Sequence, residues 1–197
     1  LGTVGGTDAA FYNVSAPTDV KGEITKATIT VTSSTVTGRD YEVGNTSVEV
    51  TVTGTSGIIG EDSVTVTAKG EMTDANAGTN KAVNITYSLS GADAANYQLA
   101  SETASGTVTI DKINPAYTAP TDLTATYGDT LAKVELTDGW TWNNTSTSVG
   151  NVGSHTFAAT FTPEDTTNYN TVSVDLSVTV GKAQVTIEWT EPDYTYN

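Results

Sequence analysis

From Val172 to Val180 the chain alternates strictly: Val172, Val174, Leu176, Val178 and Val180 are separated by Ser173, Asp175, Ser177 and Thr179. Successive side chains of a strand point to opposite faces, so this row predicts a β-strand with an apolar face on a core and a polar face in water. The same alternation runs through Val48/Val50/Val52, Val64/Val66/Ala68, Val83/Ile85/Tyr87/Leu89 and Phe157/Ala159/Phe161. About a fifth of the residues are Thr and Val is abundant; such β-branched side chains fit a pleated, half-buried surface. Turn-forming residues separate the strands, as in Thr55–Asp62 (TSGIIGED) and Thr73–Asn80 (TDANAGTN). No long window carries a 3.6-residue period. Asp129–Leu136 (DTLAKVEL) is the one candidate for a short helix, with Asp129 or Thr130 as its N-cap. The class is all-β.

An internal repeat organises these strands. Lys26, Lys112 and Lys182 each follow a strand and open another segment (TKATITV, DKINPAY, GKAQVTI), and Tyr41, Tyr127 and Tyr196 follow them at similar distances. An Asp, three residues and a Tyr recur as Asp8/Tyr12, Asp93/Tyr97 and Asp165/Tyr169, each shortly before the next of these Lys residues or strands. One frame therefore divides the chain into the tail of one module (1–26), a complete module (27–112), a shorter complete module (113–182) and the start of a third (183–197). The boundaries carry no Gly/Ser linker, and TVTIDKINPAYT passes from one module to the next as near-continuous strand. Short junctions predict restricted hinge motion and an elongated array. Each Asp-x-x-x-Tyr, with an apolar residue two beyond it at Val14 and Leu99 and Thr171 in that place in the third copy, has the arrangement of a tyrosine corner. In Ig-like sandwiches such a Tyr bonds back to the main chain while its ring packs on the core. The expected architecture is a tandem array of small Ig-like β-sandwiches. The alternative is β-grasp modules with a short helix near 129–136.

Eight Lys and Arg against 23 Asp and Glu leave a net charge of −15. The few cations are scattered, which argues against nucleic acid as a partner, because phosphate binding needs clustered positive charge. No apolar run approaches a membrane span, and Leu1 opens no charged n-region or apolar h-region, so any export or anchoring signal is expected outside this segment of a longer chain. There is no Cys and a single histidine, His155. Neither a nucleophile–base pair nor a zinc site can be assembled from them. The carboxylate pairs Glu61/Asp62 and Glu164/Asp165 are adjacent in sequence, so as strand residues they would point to opposite faces, unlike the facing pair of a glycosidase. Oxygen ligands at turns could hold Ca2+ at module junctions, though no run resembles an EF-hand loop. Catalysis and a resident cofactor are not expected. Sequons at Asn13, Asn45 and Asn84 are ordinary in a Thr-rich chain.

The strongest candidate for ligand binding is Trp140 and Trp142 in GWTW. Two indoles at i and i+2 share a strand face and could stack on sugar rings, or could both be buried in a module with few other large side chains. Val185, Ile187 and Trp189 repeat the spacing in the following segment, which favours a core role.

Two stretches resemble known bacterial surface repeats. The segment from about Lys26 to Lys112 carries GEDSVTVTAKGEMTDANAGTNKAV and LSGADAANYQL, with Asp40-Tyr41-Glu42-Val43-Gly44 where Tyr-Asp-Gly is usual, and resembles the YDG domain. The segment from about Lys112 to Lys182 carries LTATYGDTL, GWTWNNTSTSVGNVGSHTFAATFTPEDTTNYN and VTVGKA, and resembles the YGX type of MBG domain. The resemblance implies noncatalytic stalk or spacer repeats of an exported, adhesin-like protein on the bacterial cell surface. Its implied partners are neighbouring repeats, and a monomer is expected. The second functional reading is a carbohydrate- or mucin-binding module using Trp140 and Trp142, with host or environmental glycans as ligands.

Overall fold

The computed structural model describes Thr7 and residues 21–192; Asp8 and Tyr12 lie outside the described residues. The fold is all-β. Its strands are β1 (Ala27–Val36), β2 (Arg39–Asp40), β3 (Ser47–Val48), β4 (Val50–Ser56), β5 (Thr65–Met72), β6 (Gly78–Ser90), β7 (Tyr97–Leu99) and β8 (Thr103–Asp111), followed by β9 (Leu123–Thr126), β10 (Trp140–Trp142), β11 (Gly153–Phe161) and β12 (Val172–Gly181). The strand alternation read from the sequence appears as burial. Along β6, Val83, Ile85 and Tyr87 are buried while Ala82, Asn84, Thr86 and Ser88 are exposed. Along β12, Leu176, Val178 and Val180 are buried between exposed neighbours.

Two compact units are present. The first takes the chain up to Thr35 together with Thr51–Ala68 and Thr86–Thr103. Its sheet is ordered β4-β1-β7, with β1 and β7 parallel and Ala27 opposite Tyr97. Ile29 is fully buried in it. Turns join here by close backbone approach: Gly91 has φ +116, and a Cβ there would stand 2.2 Å from the Ser63 carbonyl oxygen.

The second unit takes Val36–Val50, Lys69–Ile85 and the chain from Ala104 on. A five-stranded sheet is ordered β2-β8-β6-β5-β3, with β2 parallel to β8 and β3 antiparallel to β5. A second sheet, wholly within the second unit, is ordered β10-β11-β12-β9, antiparallel except for the parallel pair of β12 and β9. The apolar face of this second sheet meets Leu131, Val134 and Val149, and Trp140, Trp142, Ala159, Leu176, Val178 and Val180 complete that core. The layer opposite the sheet is thus contributed by the 127–149 segment.

That segment forms no α-helix. Only Leu131–Lys133 winds into a single 3-10 turn, and Thr130 before it makes no side-chain cap. The backbone donors are satisfied sideways: Leu131 N–H donates to the Thr147 carbonyl and Ala132 N–H to that of Thr145, each at 2.9 Å. Asp129 closes a local turn by accepting from Thr126 N–H at 3.0 Å. Donors committed to a neighbouring loop cannot build an i to i−4 ladder. Among the described residues no helix is long and apolar enough to cross a membrane.

Candidate functional site

The two described Asp-x-x-x-Tyr turns are the sites on which the repeat converges, and each is built by its own surroundings. In the first unit, Asp93–Asn96 bends through a short 3-10 segment into β7. Asp93 Oδ2 accepts from Ser63 N–H at 2.8 Å, and Asp93 N–H donates back to the Ser63 carbonyl at 3.2 Å. The Tyr97 ring is buried, 2% exposed. Its hydroxyl donates to Asp62 Oδ2 at 2.6 Å and accepts from Ile59 N–H at 3.0 Å. The 57–63 loop is thereby fastened to the turn at Ile59, Asp62 and Ser63. Tyr97 does bond to main chain from a corner, but to a loop more than thirty residues upstream. Hydrogen bonding to the Asp62 carboxylate, followed by burial, raises the Tyr97 pKa, because ionising the phenol would lose the bond and set two anions together.

In the second unit, Asp165 turns the chain by itself: Oδ1 accepts from the N–H groups of Thr167 and Asn168, both at 3.1 Å. Its Oδ2 accepts from the Asn168 side-chain amide at 2.7 Å. That side-chain bond, ahead of the backbone donors, lowers the Asp165 pKa. Asn168 is the one polar residue buried among the described residues, 4% exposed. Its Oδ1 accepts from Ala77 N–H at 2.7 Å, and its Nδ2 also donates to Asn76 Oδ1 at 3.1 Å. Tyr169 sets its ring edge-on to Tyr41, with centroids 5.7 Å apart. Burial, then the neighbouring Tyr169 and Asp165, raise the Tyr41 pKa.

Lys112 and Ile113, which follow β8, complete this junction. Ile113 bridges Tyr169 in parallel, as Ala27 pairs with Tyr97. Ile113 N–H donates to the Asn168 carbonyl at 3.1 Å, and Asn170 N–H donates to the Ile113 carbonyl at 2.9 Å. Lys112 Nζ donates to the Thr166 carbonyl at 2.6 Å. The Asp165–Tyr169 turn is therefore interlocked with Tyr41, Asn76 and Ala77. The repeat singles out Asp165 and Tyr169 as a tyrosine corner and does not single out Asn168 or Asn76, although the recurrence of Asn before Tyr in DAANY and DTTNY is the available signal.

Trp140 and Trp142 are 6% and 8% exposed, both inside the core of the four-stranded sheet. Trp142 Nε1 donates to the Val134 carbonyl at 2.8 Å and Trp140 Nε1 to that of Thr118 at 3.2 Å. Trp140 packs on Tyr117 and Phe161, and Trp142 meets Phe157 edge-on. Rings so enclosed offer no open face to a sugar. The hollow they border, about 210 Å3 with Leu131, Ala132 and Thr145, is below the roughly 300–1,000 Å3 of ordinary ligand pockets. By contrast Val185, Ile187 and Trp189 are exposed.

His155 is half-buried, with Nε2 2.7 Å from the Asn151 carbonyl and its ring near Phe157. Of the carboxylate pairs, Asp62 is bound by Tyr97 and Asp165 by its own turn. No group of three His, Cys, Asp or Glu side chains that could hold a metal occurs among the described residues.

Residues 24–106 match the family model of the YDG domain. The match takes in β1 to β7 and the start of β8. No curated protein matches the chain.

Proposed function

We propose that the chain is a noncatalytic spacer of a bacterial cell-surface, adhesin-like protein, whose modules carry a binding region located elsewhere in the parent molecule. The observation that carries this reading is the buried Asn168, held by Asp165 of its own turn and by Asn76 and Ala77 of the preceding repeat segment. Breaking one partner of such a buried polar network leaves unpaired groups behind, so the arrangement resists hinge opening. A spacer needs that property and a binding module does not. The YDG match of residues 24–106 supports the same reading. We read 113–182 as an MBG module of the YGX type from its LTATYGDTL and GWTWNN motifs. The net charge of −15 discourages self-association on a crowded surface.

The test has two arms. On a broad glycan and mucin array the fragment should be silent, and reproducible binding would replace the spacer reading with a lectin-like one. Solution scattering should give one narrow distribution of distances across the 27–112 and 113–182 modules, broadened by Asn168→Ala. Equal breadth in both proteins would remove the argument from the junction.

A further inference from the structure

The junction just described has a second, open copy of its receiving half. The residues that receive Asn168 and Tyr169 belong to three segments. Asp40 lies opposite Asp111, and Tyr41 N–H donates to the Asp111 carbonyl at 2.8 Å, which sets the Tyr41 ring at the module tip. Asn76 and Ala77 immediately precede Gly78, the first residue of β6. Lys112 and Ile113 follow β8.

Each has a counterpart at the tip of the 113–182 module. Thr126 lies opposite Gly181, and Tyr127 N–H donates to the Gly181 carbonyl at 2.9 Å, the same register as Asp40, Tyr41 and Asp111. Asn151 and Val152 immediately precede Gly153, the first residue of β11, so Asn-Val-Gly stands where the other tip has Asn-Ala-Gly. Lys182 and Ala183 follow β12 as Lys112 and Ile113 follow β8. Here nothing covers them among the described residues: Tyr127 is 54% and Val152 51% exposed, where Tyr41 and Ala77 are half-buried. Tyr127, Asn151, Val152, Lys182, Ala183 and Val185 surround a hollow of about 450 Å3.

We propose that this tip is a docking site for the Asp-x-x-Asn-Tyr turn of a further module of the same kind; the proposal rests on the spacer reading. The assignment of the occupant comes from continuity with the occupied tip. The incoming Asn side chain would accept from Val152 N–H and donate to Asn151 Oδ1, as Asn168 does with Ala77 and Asn76. The incoming Tyr ring would meet the Tyr127 ring as Tyr169 meets Tyr41. Ala183 would bracket the turn through its backbone, as Ile113 does. The motif also explains why a phenol, and not an aliphatic side chain, is left in water at residue 127. An amphipathic ring tolerates exposure before docking and offers an edge-to-face contact after it.

The experiment extends the chain. Residues 1–182 are followed directly by a second copy of 113–182, so that the copy's Ile113 succeeds Lys182 and its own Asp165–Tyr169 turn is tethered beside the open tip. Tethering at this range gives an effective concentration on the order of millimolar, enough to populate even a weak contact. Amide hydrogen exchange of Val152 is compared between the 197-residue chain and the extended one. Docking slows it by about tenfold or more, and Asn168→Ala made in the copy alone restores the fast rate. Folding of the copy is followed through the gain in buried-indole emission over residues 1–182 alone, which carry the first Trp140 and Trp142.

An unchanged Val152 rate beside a folded copy overturns the docking site, while leaving the spacer reading to stand with a free joint at that tip. A copy that failed to fold there would count against the site as well, since the same sequence folds after Lys112. The spacer reading itself falls on array binding, which the exchange of Val152 does not report, so the two failures are distinguishable.

Discussion

In the turn at Asp93–Tyr97 the tyrosine is the bound residue and the asparagine is exposed; in the turn at Asp165–Tyr169 the asparagine is bound and buried while the tyrosine lends only its ring. The two stretches share Asp, Asn and Tyr at the same spacing, and in both the Tyr is paired in parallel, with Ala27 in one and with Ile113 in the other. The motif therefore encodes a turn and the position of two side chains, and the neighbours decide which of their atoms are used. The first turn has the 57–63 loop against it, supplying Ile59, Asp62 and Ser63. The second turn engages instead Tyr41, Asn76 and Ala77, from two other stretches of its unit. One motif is fastened through its Tyr hydroxyl in one place and through its Asn side chain in the other.

The largest effects should come from the backbone entering each turn. Gly91 and Pro163 occupy the same place, two residues before the Asp. Gly91→Ala would put a methyl group into the Ser63 carbonyl at a φ of +116, and should cost about 3 kcal/mol or more. Pro163→Ala should cost about 1 kcal/mol or less, since only unfolded-state entropy changes. Urea unfolding of both variants checks the pair, and equal losses would show that the 57–63 loop does not distinguish the turns.

Asn168→Ala comes next. It strands Ala77 N–H and removes the partner of Asn76 and Asp165, which should cost about 2 kcal/mol. Asn96→Ala, at an exposed position, should change stability by no more than about 0.5 kcal/mol. A costly Asn96→Ala would mean that the first turn also interlocks with something. Smaller again is the hydroxyl comparison. Tyr97→Phe leaves Asp62 and Ile59 N–H without their shared partner and should lower the thermal midpoint by about 5 °C. Tyr169→Phe keeps the ring against Tyr41 and should lower it by about 1 °C or less.

How much of this could be read in advance follows from the range of each interaction. Strand alternation is local, so Val83, Ile85, Leu176, Val178 and Val180 were assignable to a buried face from period alone. The all-β class and the existence of two comparable turns were equally legible. DTLAKVEL was misleading because its helical composition is overridden by the Thr145 and Thr147 carbonyls, which lie beyond any local window. The partner of Tyr97 was hidden for the same reason, being more than thirty residues upstream. Trp140 and Trp142 show the limit differently: i, i+2 spacing puts both rings on one face but does not say whether that face is wet, and Val185, Ile187 and Trp189, with the same spacing, are exposed. Asn168 was visible as a repeated letter yet carried no periodic or chemical signature. Its role exists only where a second segment is brought to it.

The difference between the turns should also appear as opposite pH limits. Asp165 has its pKa lowered, chiefly by the Asn168 amide, so its contribution is fully present above the ordinary carboxylate value of 3.8 and is lost as pH falls below it. Tyr97 has its pKa raised, chiefly by the Asp62 carboxylate, so its contribution is fully present below 10.0 and is lost as pH rises through the folded-state value. Thermal midpoints of the wild type, Asp165→Asn and Tyr97→Phe, followed from pH 2 to 11, read these contributions as differences from the wild type. The gap between wild type and Asp165→Asn should be constant near neutrality and narrow on the acid side. The gap between wild type and Tyr97→Phe should be constant near neutrality and narrow on the alkaline side. Tyr41, whose pKa is also raised, titrates in both members of the second pair and cancels. If the first gap stays constant on the acid side, or the second on the alkaline side, the hydrogen bonds assigned to Asp165 and Tyr97 do not distinguish the two turns.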